Sequence, residues 1–169
     1  LDMSMPEFYI DSNGDRKGTP HVYKKLQDRI AVEQRRLSHM KKGSSNYQKQ
    51  RLKIAKLHAK AKHQRADFLH KVSRTLVDSY DIIGIEDLDM KGMSQALNFG
   101  KSVSDKGWGM FVRMMTYKAA DAGKRVIKIS RWFPSSQMCH ECGCVSKKTK
   151  DLSVREWVCP HCGAVLDRD

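Results

Sequence analysis

The sequence predicts an α/β fold in which strands alternate with helices, with a helical hairpin and a cysteine-rich module inserted into it. Two segments have the composition of strands, a β-branched run at Ile82–Ile85 and an alternating run at Arg125–Ser130. Stretches of helical periodicity lie before and between them, and strands interleaved with helices form layered α/β cores. Two Cys-x-x-Cys pairs within residues 136–164 indicate a separate small module.

The chain opens on an apolar segment, residues 1–10, followed by a strong turn signal at Asp11–Asp15 that contains Ser, Asn and Gly. A hairpin-like opening is therefore predicted. A basic helix is predicted from His21 to Met40.

A second helix is predicted from Tyr47 to Ser79, after a cluster of helix-breaking residues at 41–46. Apolar side chains recur along this helix at intervals of three and four residues, and lysine and arginine occupy much of the remainder. The pattern predicts a helical hairpin that packs through one stripe and is cationic elsewhere. The stripe consists of Ile54, Leu57, Ala61, Phe68, Leu69, Val72 and Leu76.

The run Ile82–Ile85 ends in two acids, Glu86 and Asp87, which predicts a buried strand with carboxylates at its C-terminal end. A loop rich in Gly, Ser and Asn follows at 92–104. Residues 105–122 are predicted to form an amphipathic helix that a glycine ends, before the second strand begins.

The chain is strongly basic, with 32 Lys and Arg against 19 Asp and Glu and a net charge of +13. Residues 21–79 hold 16 basic residues and four acids, so the predicted hairpin carries +12 of that charge. This density predicts contact with a nucleic-acid backbone, the alternative being a solvated basic face of an ordinary soluble protein. The candidate contact residues are Lys49, Arg51, Lys53, Lys56, Lys60, Lys62 and Arg65.

Composition also excludes some classes of protein. No apolar run approaches the roughly 20 residues that cross a bilayer, and no signal-peptide pattern opens the chain, so a secreted or membrane-embedded protein is not expected. The five cysteines, four of them in pairs, indicate metal binding in a reducing compartment rather than disulfides.

The two Cys pairs are separated by 16 residues, the spacing of a four-cysteine zinc ribbon. Four thiolates hold one Zn²⁺ at about 2.3 Å and leave no position for water, so a structural site is predicted. Cys144, His140 and His161 lie close enough in sequence to leave a ligand exchange open, and Trp157 is interpreted as packing rather than base stacking. The predicted ligands are Cys139, Cys142, Cys159 and Cys162.

Three carboxylates stand out by position: Asp2 in the first segment, Glu86 at the end of its strand, and Asp169 with Asp167 at the far end. Two-metal hydrolysis of a phosphodiester needs acids that converge from separate elements on cations about 3.5–4 Å apart. Each acid alone also fits a turn or a helix cap, and composition does not choose between these interpretations.

Six motifs follow one another in order along the whole chain. They are Asp2 with Phe8-Tyr-Ile10-Asp-Ser-Asn-Gly14, Ile82-Ile-Gly-Ile-Glu86-Asp87-Leu-Asp-Met-Lys91-Gly-Met93, Trp108-Gly-Met-Phe111, Phe133-Pro-Ser-Ser-Gln137-Met-Cys139-His-Glu-Cys142-Gly, Arg155-Glu-Trp-Val-Cys159-Pro-His-Cys162-Gly and Asp167-Arg-Asp169. In order and spacing they resemble the RuvC domain and zinc ribbon of the TnpB family of bacterial and archaeal insertion sequences, relatives of compact type V CRISPR effectors.

The resemblance implies an RNase H-like (RuvC) fold for residues 1–135, with the helical hairpin inserted at about 21–79. It implies a zinc ribbon at 136–164 and the start of a third acidic motif at 165–169. The implied activity is metal-dependent DNA cleavage with one structural zinc and two catalytic Mg²⁺ or Mn²⁺. The implied catalytic carboxylates are Asp2, Glu86 and Asp169, with Asp167 as the fallback for the third.

Two departures from the family accompany this resemblance. The first motif often reads Asp-x-Gly, whereas Met3-Ser4 follows Asp2 here, and Ser4 is small enough to leave the site intact. The family's segments that bind guide RNA and read the DNA beside the target are expected before Leu1, and the helix of the third carboxylate is expected to continue past Asp169. The isolated chain is therefore expected to lack parts of the catalytic protein.

The implied partners are guide RNA, target DNA and the remainder of the same polypeptide, in a bacterial or archaeal cytoplasm in association with the nucleoid. Two other functions stay open on the residues alone. One is a non-catalytic nucleic-acid-binding zinc-ribbon module, which retention of three acids disfavours. The other is a strand-transfer transposase, which would use the same metal chemistry.

Overall fold

A computed structural model describes residues 1–3, 7–19, 21–89, 92, 95, 106–146, 149, 151 and 153–167. Helices and short strands alternate within them, which confirms the α/β class, although most of the loop predicted at 92–104 lies outside the described residues. The elements are β1 (Tyr9–Ile10), β2 (Arg16–Lys17), α1 (Val22–Ser38), α2 (Ser45–Ser79), β3 (Ile82–Glu86), α3 (Trp108–Asp121), β4 (Arg125–Ile129), a 3-10 turn (Ser135–Gln137), β5 (Glu156–Val158) and β6 (Val165–Asp167).

The opening hairpin forms as predicted. β1 and β2 pair antiparallel, with Tyr9 opposite Lys17. The Asp11 carboxylate closes the turn by accepting hydrogen bonds from the backbone N–H groups of Asn13 and Asp15, at 2.9 and 3.0 Å. An Asp side chain bonded to the following backbone is the local chemistry that favours such turns.

The basic helical hairpin is also confirmed, and its bend is built from local signals. Gly43 adopts a φ of +84°, a left-handed conformation that glycine takes without steric cost. The Ser44 hydroxyl then accepts a 3.1 Å hydrogen bond from the Tyr47 N–H and caps α2. The predicted apolar stripe is buried, except that Phe68 is partly buried at the edge of the core.

A buried carboxylate joins α1 to α2. Glu33 is 5% exposed, and Gln50 donates to its side chain at 2.7 Å while the Lys53 ammonium lies 2.8 Å away. The bonds from Lys53 and Gln50 lower the pKa of Glu33 to about 2. No helix within the described part of the chain is both long and apolar enough to span a membrane.

Helix α3 connects two parallel strands. β3 and β4 pair from Ile82 opposite Arg125 to Glu86 opposite Ile129. The core lies between these strands, α2 and α3, and includes Phe8, Trp108 and Phe111. The Trp108 indole donates a 3.0 Å hydrogen bond to the carbonyl of Phe8, which ties α3 to the opening segment.

Strand β4 does not have the alternating burial that its sequence predicts. Val126 packs against the core, but Ile127 and Ile129 are 46% and 37% exposed. The prediction that β3 is a buried strand was wrong for one of its faces, since Ile82 is 52% exposed. These isoleucines lie on the sheet face opposite the core. Residues two apart on a strand share a face, and residues paired across two strands also share a face. Strand β4 therefore carries apolar side chains on both faces of the sheet, and these side chains are not confined to the face that packs on the core.

The first residues of the chain bridge the hairpin and the parallel pair. Asp2 exchanges two backbone hydrogen bonds with Ile10, at 2.8 and 2.9 Å. The backbone nitrogen of Leu1 donates a 2.6 Å hydrogen bond to the Gly84 carbonyl of β3. The spatial order is therefore β2, β1, residues 1–2, β3 and β4, which places Asp2 beside the strand that carries Glu86.

Candidate metal centres and nucleic-acid surface

The four cysteines predicted to bind zinc converge on one point. Their sulfur atoms all lie within 4.8 Å of one another, with Cys139 Sγ 3.5 Å from Cys162 Sγ and Cys142 Sγ 3.6 Å from Cys159 Sγ. A tetrahedron of bonds of about 2.3 Å separates its sulfurs by about 3.8 Å. The donor set and its spacing fit a metal ion such as Zn²⁺.

Two loops of the same construction present these sulfurs. In the first, Cys139 N donates to Cys144 O and Gly143 N to Cys139 O, both at 2.8 Å. In the second, Cys159 N donates to Ala164 O at 2.8 Å and Gly163 N to Cys159 O at 3.0 Å. Gly143 and Gly163 have φ values of +72° and +74°, so each loop needs its glycine to turn back on itself.

The ribbon has a small core of its own. Cys139, Cys159, Trp157 and Leu166 form a buried cluster, and Trp157 is 8% exposed. The packing role predicted for Trp157 is thereby confirmed. Because so few side chains are buried, metal binding is expected to supply much of the module's stability.

The residues considered for ligand exchange lie outside the sulfur cluster. Cys144 is partly buried against the ribbon core and is not among the four converging residues. His140 and His161 are both exposed.

The environment of Cys159 favours its metal-binding form. Hydrogen bonds from the backbone N–H groups of Cys162 and His161 lower the pKa of the Cys159 thiol to about 6, against an opposing effect of burial. The thiolate is the form that binds metals. Burial and contacts with the other sulfurs raise the pKa of the Cys142 thiol to about 12, so these contacts favour the thiolate at Cys159 and oppose it at Cys142.

A second site lies at the C-terminal ends of β3 and β4. Glu86 ends β3 and borders an open groove of about 550 Å³, whose other wall is the segment from Ile129 to Gln137. The Ser135 hydroxyl donates a 3.3 Å hydrogen bond to Glu86 Oε1. The carboxylate is thus at the end of its strand, partly exposed and hydrogen-bonded to a neighbouring side chain.

The neighbouring acid Asp87 is in a different situation. The Arg131 guanidinium lies 3.0 Å from its carboxylate, and Lys128 lies 3.7 Å away. The hydrogen bond from Arg131 lowers the pKa of Asp87 below its usual value. Asp87 therefore holds two cations at the groove and leaves Glu86 as the better candidate metal ligand.

Asp2 lies near Glu86 through the strand order described above. The backbone nitrogen of Leu1 bonds to Gly84, two residues before Glu86, and the Asp2 side chain is exposed.

Asp169, the residue predicted to supply the third carboxylate, lies outside the described residues. Asp167 ends β6 of the ribbon, opposite Glu156. Among the described residues, the four cysteines are the one group of three or more potential ligands whose donor atoms lie within 4.8 Å, so Asp2, Glu86 and Asp167 do not form a second such group.

The predicted nucleic-acid contacts on α2 separate into three classes. Lys53 is an ion-pair partner of the buried Glu33, and Arg65 is partly buried, with its Cδ close to Gly107. The remaining five side chains are exposed and give α2 a cationic surface. They are Lys49, Arg51, Lys56, Lys60 and Lys62.

Sequence reasoning did not single out the residues after β4 as neighbours of Glu86. Arg131, Trp132, Phe133 and Ser135 all line its groove. The Phe133-Pro-Ser-Ser-Gln137 motif was a signal in the sequence, but it is separated from Glu86 by more than forty positions. Only the pairing of β3 with β4 brings the two segments together.

Two family models match successive parts of the chain. A family model described as "Probable transposase" matches residues 1–97, and one described as "Cas12f1-like, TNB domain" matches residues 108–169. A Streptomyces pristinaespiralis protein named "Putative RNA-guided DNA endonuclease" is 38% identical over the whole chain, which covers 42% of that relative.

Other relatives carry similar names. "Putative RNA-guided DNA endonuclease InsQ" of Escherichia coli K12 is 30% identical over 94% of the chain, which covers 43% of it. A "TnpB-like protein L79" of Acanthamoeba polyphaga mimivirus is 25% identical over 69% of the chain and 23% of its own length. The chain thus spans about two fifths of the length of the first two relatives.

Proposed function

This chain belongs to the TnpB family, and from that premise we propose that it forms the catalytic core of an RNA-guided DNA endonuclease with a RuvC-type, two-metal mechanism. Because the chain spans 42% and 43% of two relatives named as such endonucleases, the cleavage, the guide RNA and the target DNA are proposed for the whole protein. Membership of the family and the two candidate sites described above support these proposals.

The observation that carries this proposal is the position of Glu86. It ends a parallel strand, borders an open groove and has Asp2 on the neighbouring segment. Acids delivered by adjacent strand ends are rigidly placed, which is what divalent cations with oxygen ligands require. The parallel pairing of β3 with β4, next to the segment that carries Asp2, is compatible with the RNase H-like fold that the family implies.

Each residue has a definite role in the proposed mechanism. Asp2, Glu86 and Asp169 would hold two Mg²⁺ or Mn²⁺ ions, with Asp167 as the alternative to Asp169. Bound there, the ions would activate a water molecule and stabilise the leaving oxygen of a phosphodiester. Ser135 orients the Glu86 carboxylate through its hydrogen bond.

The zinc ribbon has a structural role in this proposal. Its strand β6 ends at Asp167, which is also the first residue of the Asp167-Arg-Asp169 motif. A ribbon closed by Zn²⁺ would limit the conformations of the chain immediately before the third carboxylate. The four protein ligands leave no open position, so the ribbon itself is not proposed to catalyse.

The cationic surface of α2 is proposed to contact a nucleic-acid backbone. Lys49, Arg51, Lys56, Lys60 and Lys62 are exposed, and the hairpin carries +12 of a net +13. Lys53 and Arg65 belong to the same proposed set, although Lys53 also stabilises Glu33 and Arg65 is partly buried. An exposed surface with almost only positive charges is better explained by contact with phosphates than by exposure to solvent alone.

The test is cleavage of target DNA by the full-length protein with its guide RNA. Glu86→Gln is expected to abolish Mg²⁺- or Mn²⁺-dependent cleavage and to leave RNA and DNA binding intact, because it removes a metal ligand at constant size. Asp81→Asn is the matched control, since Asp81 precedes the opposite end of the same strand and pairs with Lys124 at 3.4 Å. Cleavage by Glu86→Gln at the wild-type rate would exclude the proposed site.

A further inference from the structure

Two aromatic side chains are exposed at the rim of the Glu86 groove. Trp132 is 86% exposed and Phe133 is 47% exposed, and both line the groove. The other two tryptophans of the chain, Trp108 and Trp157, are 1% and 8% exposed. Exposing a large aromatic ring to water is unfavourable, so Trp132 stands apart from the tryptophans that stabilise the fold.

The backbone holds this aromatic segment in place. Phe133 N donates to Ser130 O at 2.9 Å, and Ser135 N donates to Phe133 O at 2.8 Å. Trp132 N also donates to the Ser130 hydroxyl at 3.3 Å. The turn is therefore fixed between β4 and the 3-10 turn, and the ring of Trp132 projects from an ordered base rather than from a loose end.

One cation, Arg131, lines the groove directly beside the aromatic segment. Its guanidinium is positioned by Asp87 at 3.0 Å and by Asp89 at 3.9 Å. The groove thus offers an exposed indole, a fixed guanidinium and the carboxylates of Glu86, Asp87 and Asp89. A flat apolar group joined to a phosphate would match the first two features, and a nucleotide has both parts.

We propose that Trp132 is a stacking platform for an unpaired base of single-stranded nucleic acid entering the Glu86 groove. The inference rests on the proposed function, because that function makes nucleic acid the substrate of this groove. Single strands are favoured as the ligand, since a base in a duplex is already stacked on both faces. Aromatic stacking tolerates any sequence, so Trp132 would hold the strand without choosing a base.

Tryptophan fluorescence of the full-length protein tests this directly, with oligothymidylate as the probe and no added Mg²⁺ or Mn²⁺. Oligothymidylate is expected to quench the emission, and Trp132→Phe should lower the quenching, because Trp132 is the exposed tryptophan among the described residues. Fluorescence anisotropy of labelled oligothymidylate should give Trp132→Phe an affinity close to wild type. Trp132→Leu should bind roughly 5- to 100-fold more weakly, the range expected for losing one stacked base.

Tyr117→Leu is the matched control, because Tyr117 is a 44% exposed aromatic on α3 that is not among the groove residues. It should bind oligothymidylate as the wild type does. Equal affinities of Trp132→Leu and wild type, or binding without quenching, would overturn the platform while leaving the proposed nuclease intact. No binding of oligothymidylate by the wild-type chain would overturn the platform as well. The proposed nuclease is judged separately, by the cleavage test of Glu86→Gln.

Discussion

The Ser135 hydroxyl donates a hydrogen bond to Glu86 Oε1 across 3.3 Å and joins the turn after β4 to the acid that ends β3. If Glu86 binds a catalytic metal, Ser135 orients that ligand. Ser135→Ala is therefore expected to lower metal-dependent cleavage by the full-length protein about 10- to 100-fold, the usual cost of losing such a partner. Cleavage rates measured across a Mg²⁺ titration would check this.

Ser136→Ala is the control for that substitution, because Ser136 lines the same groove and the bond to Glu86 comes from Ser135. It is expected to cut at close to the wild-type rate. Equal losses in the two variants would show that the serine pair shapes the turn and does not act on Glu86.

The cysteine cluster predicts one Zn²⁺ per chain, measured by elemental analysis of the purified protein. Cys139→Ser is expected to lose the metal and to loosen the ribbon, because its thiolate is one of four ligands. Cys144→Ser should retain the full amount, since Cys144 lies outside the converging set. Loss of zinc from Cys144→Ser alone would instead identify Cys144 as a ligand.

Glu33 predicts a pH-dependent contribution to the stability of the helical hairpin. Its pKa is about 2 in the folded protein against 4.5 ordinarily, so the folded state favours the ionised form. The stabilisation is fully present above the ordinary pKa and is lost as pH falls from about 4.5 toward about 2. Urea unfolding should therefore give a wild-type advantage over Glu33→Gln that shrinks steadily across this range.

Asp28→Asn controls for the loss of one negative charge, since Asp28 is an exposed acid on the same helix. At neutral pH it is expected to change the free energy of unfolding less than Glu33→Gln does. A constant advantage of wild type over Glu33→Gln at all pH values would contradict the assignment of the low pKa to Glu33.

The exposed lysines of α2 predict salt-sensitive binding of nucleic acid. Changing Lys49, Lys56 and Lys60 together to Gln removes three charges and should flatten the slope of log affinity against log salt by roughly 2 to 3. Filter binding or anisotropy at several salt concentrations measures this slope. Lys71 and Arg74 pair with Asp67 and Asp78, so their replacement by Gln should change the slope less.

Local patterns in the sequence were sufficient to predict the α/β class and most of the individual helices and strands. The helical hairpin, the opening turn, β3 and the helix ended by Gly123 were predictable because periodicity, caps and turn residues act over a few positions. β4 was placed correctly, but its burial was not. The exposure of Ile127 and Ile129 depends on what covers the second face of the sheet, which the sequence of β4 does not encode.

The candidate sites divide in the same way. The cluster of four cysteines is specified by spacing, since each Cys-x-x-Cys loop turns back within five residues and needs only its partner loop to complete the cluster. The catalytic assignment of Asp2, Glu86 and Asp169 came from family resemblance and stays a prediction. Arg131, Trp132 and Ser135 were not identified as neighbours of Glu86, because no local signal indicates which distant segments meet.

The sequence by itself thus determined the class of the chain, its basic hairpin and its cluster of four cysteines, because each depends on composition or on contacts between near neighbours. Tertiary structure decided that Asp2 lies beside β3, that Ser135 reaches Glu86 and that Trp132 is exposed at their groove. Those relationships follow from the hydrogen bond between Leu1 and Gly84 and from the pairing of β3 with β4. Long-range strand pairing is set by the packing of the whole core, which no short stretch of sequence contains.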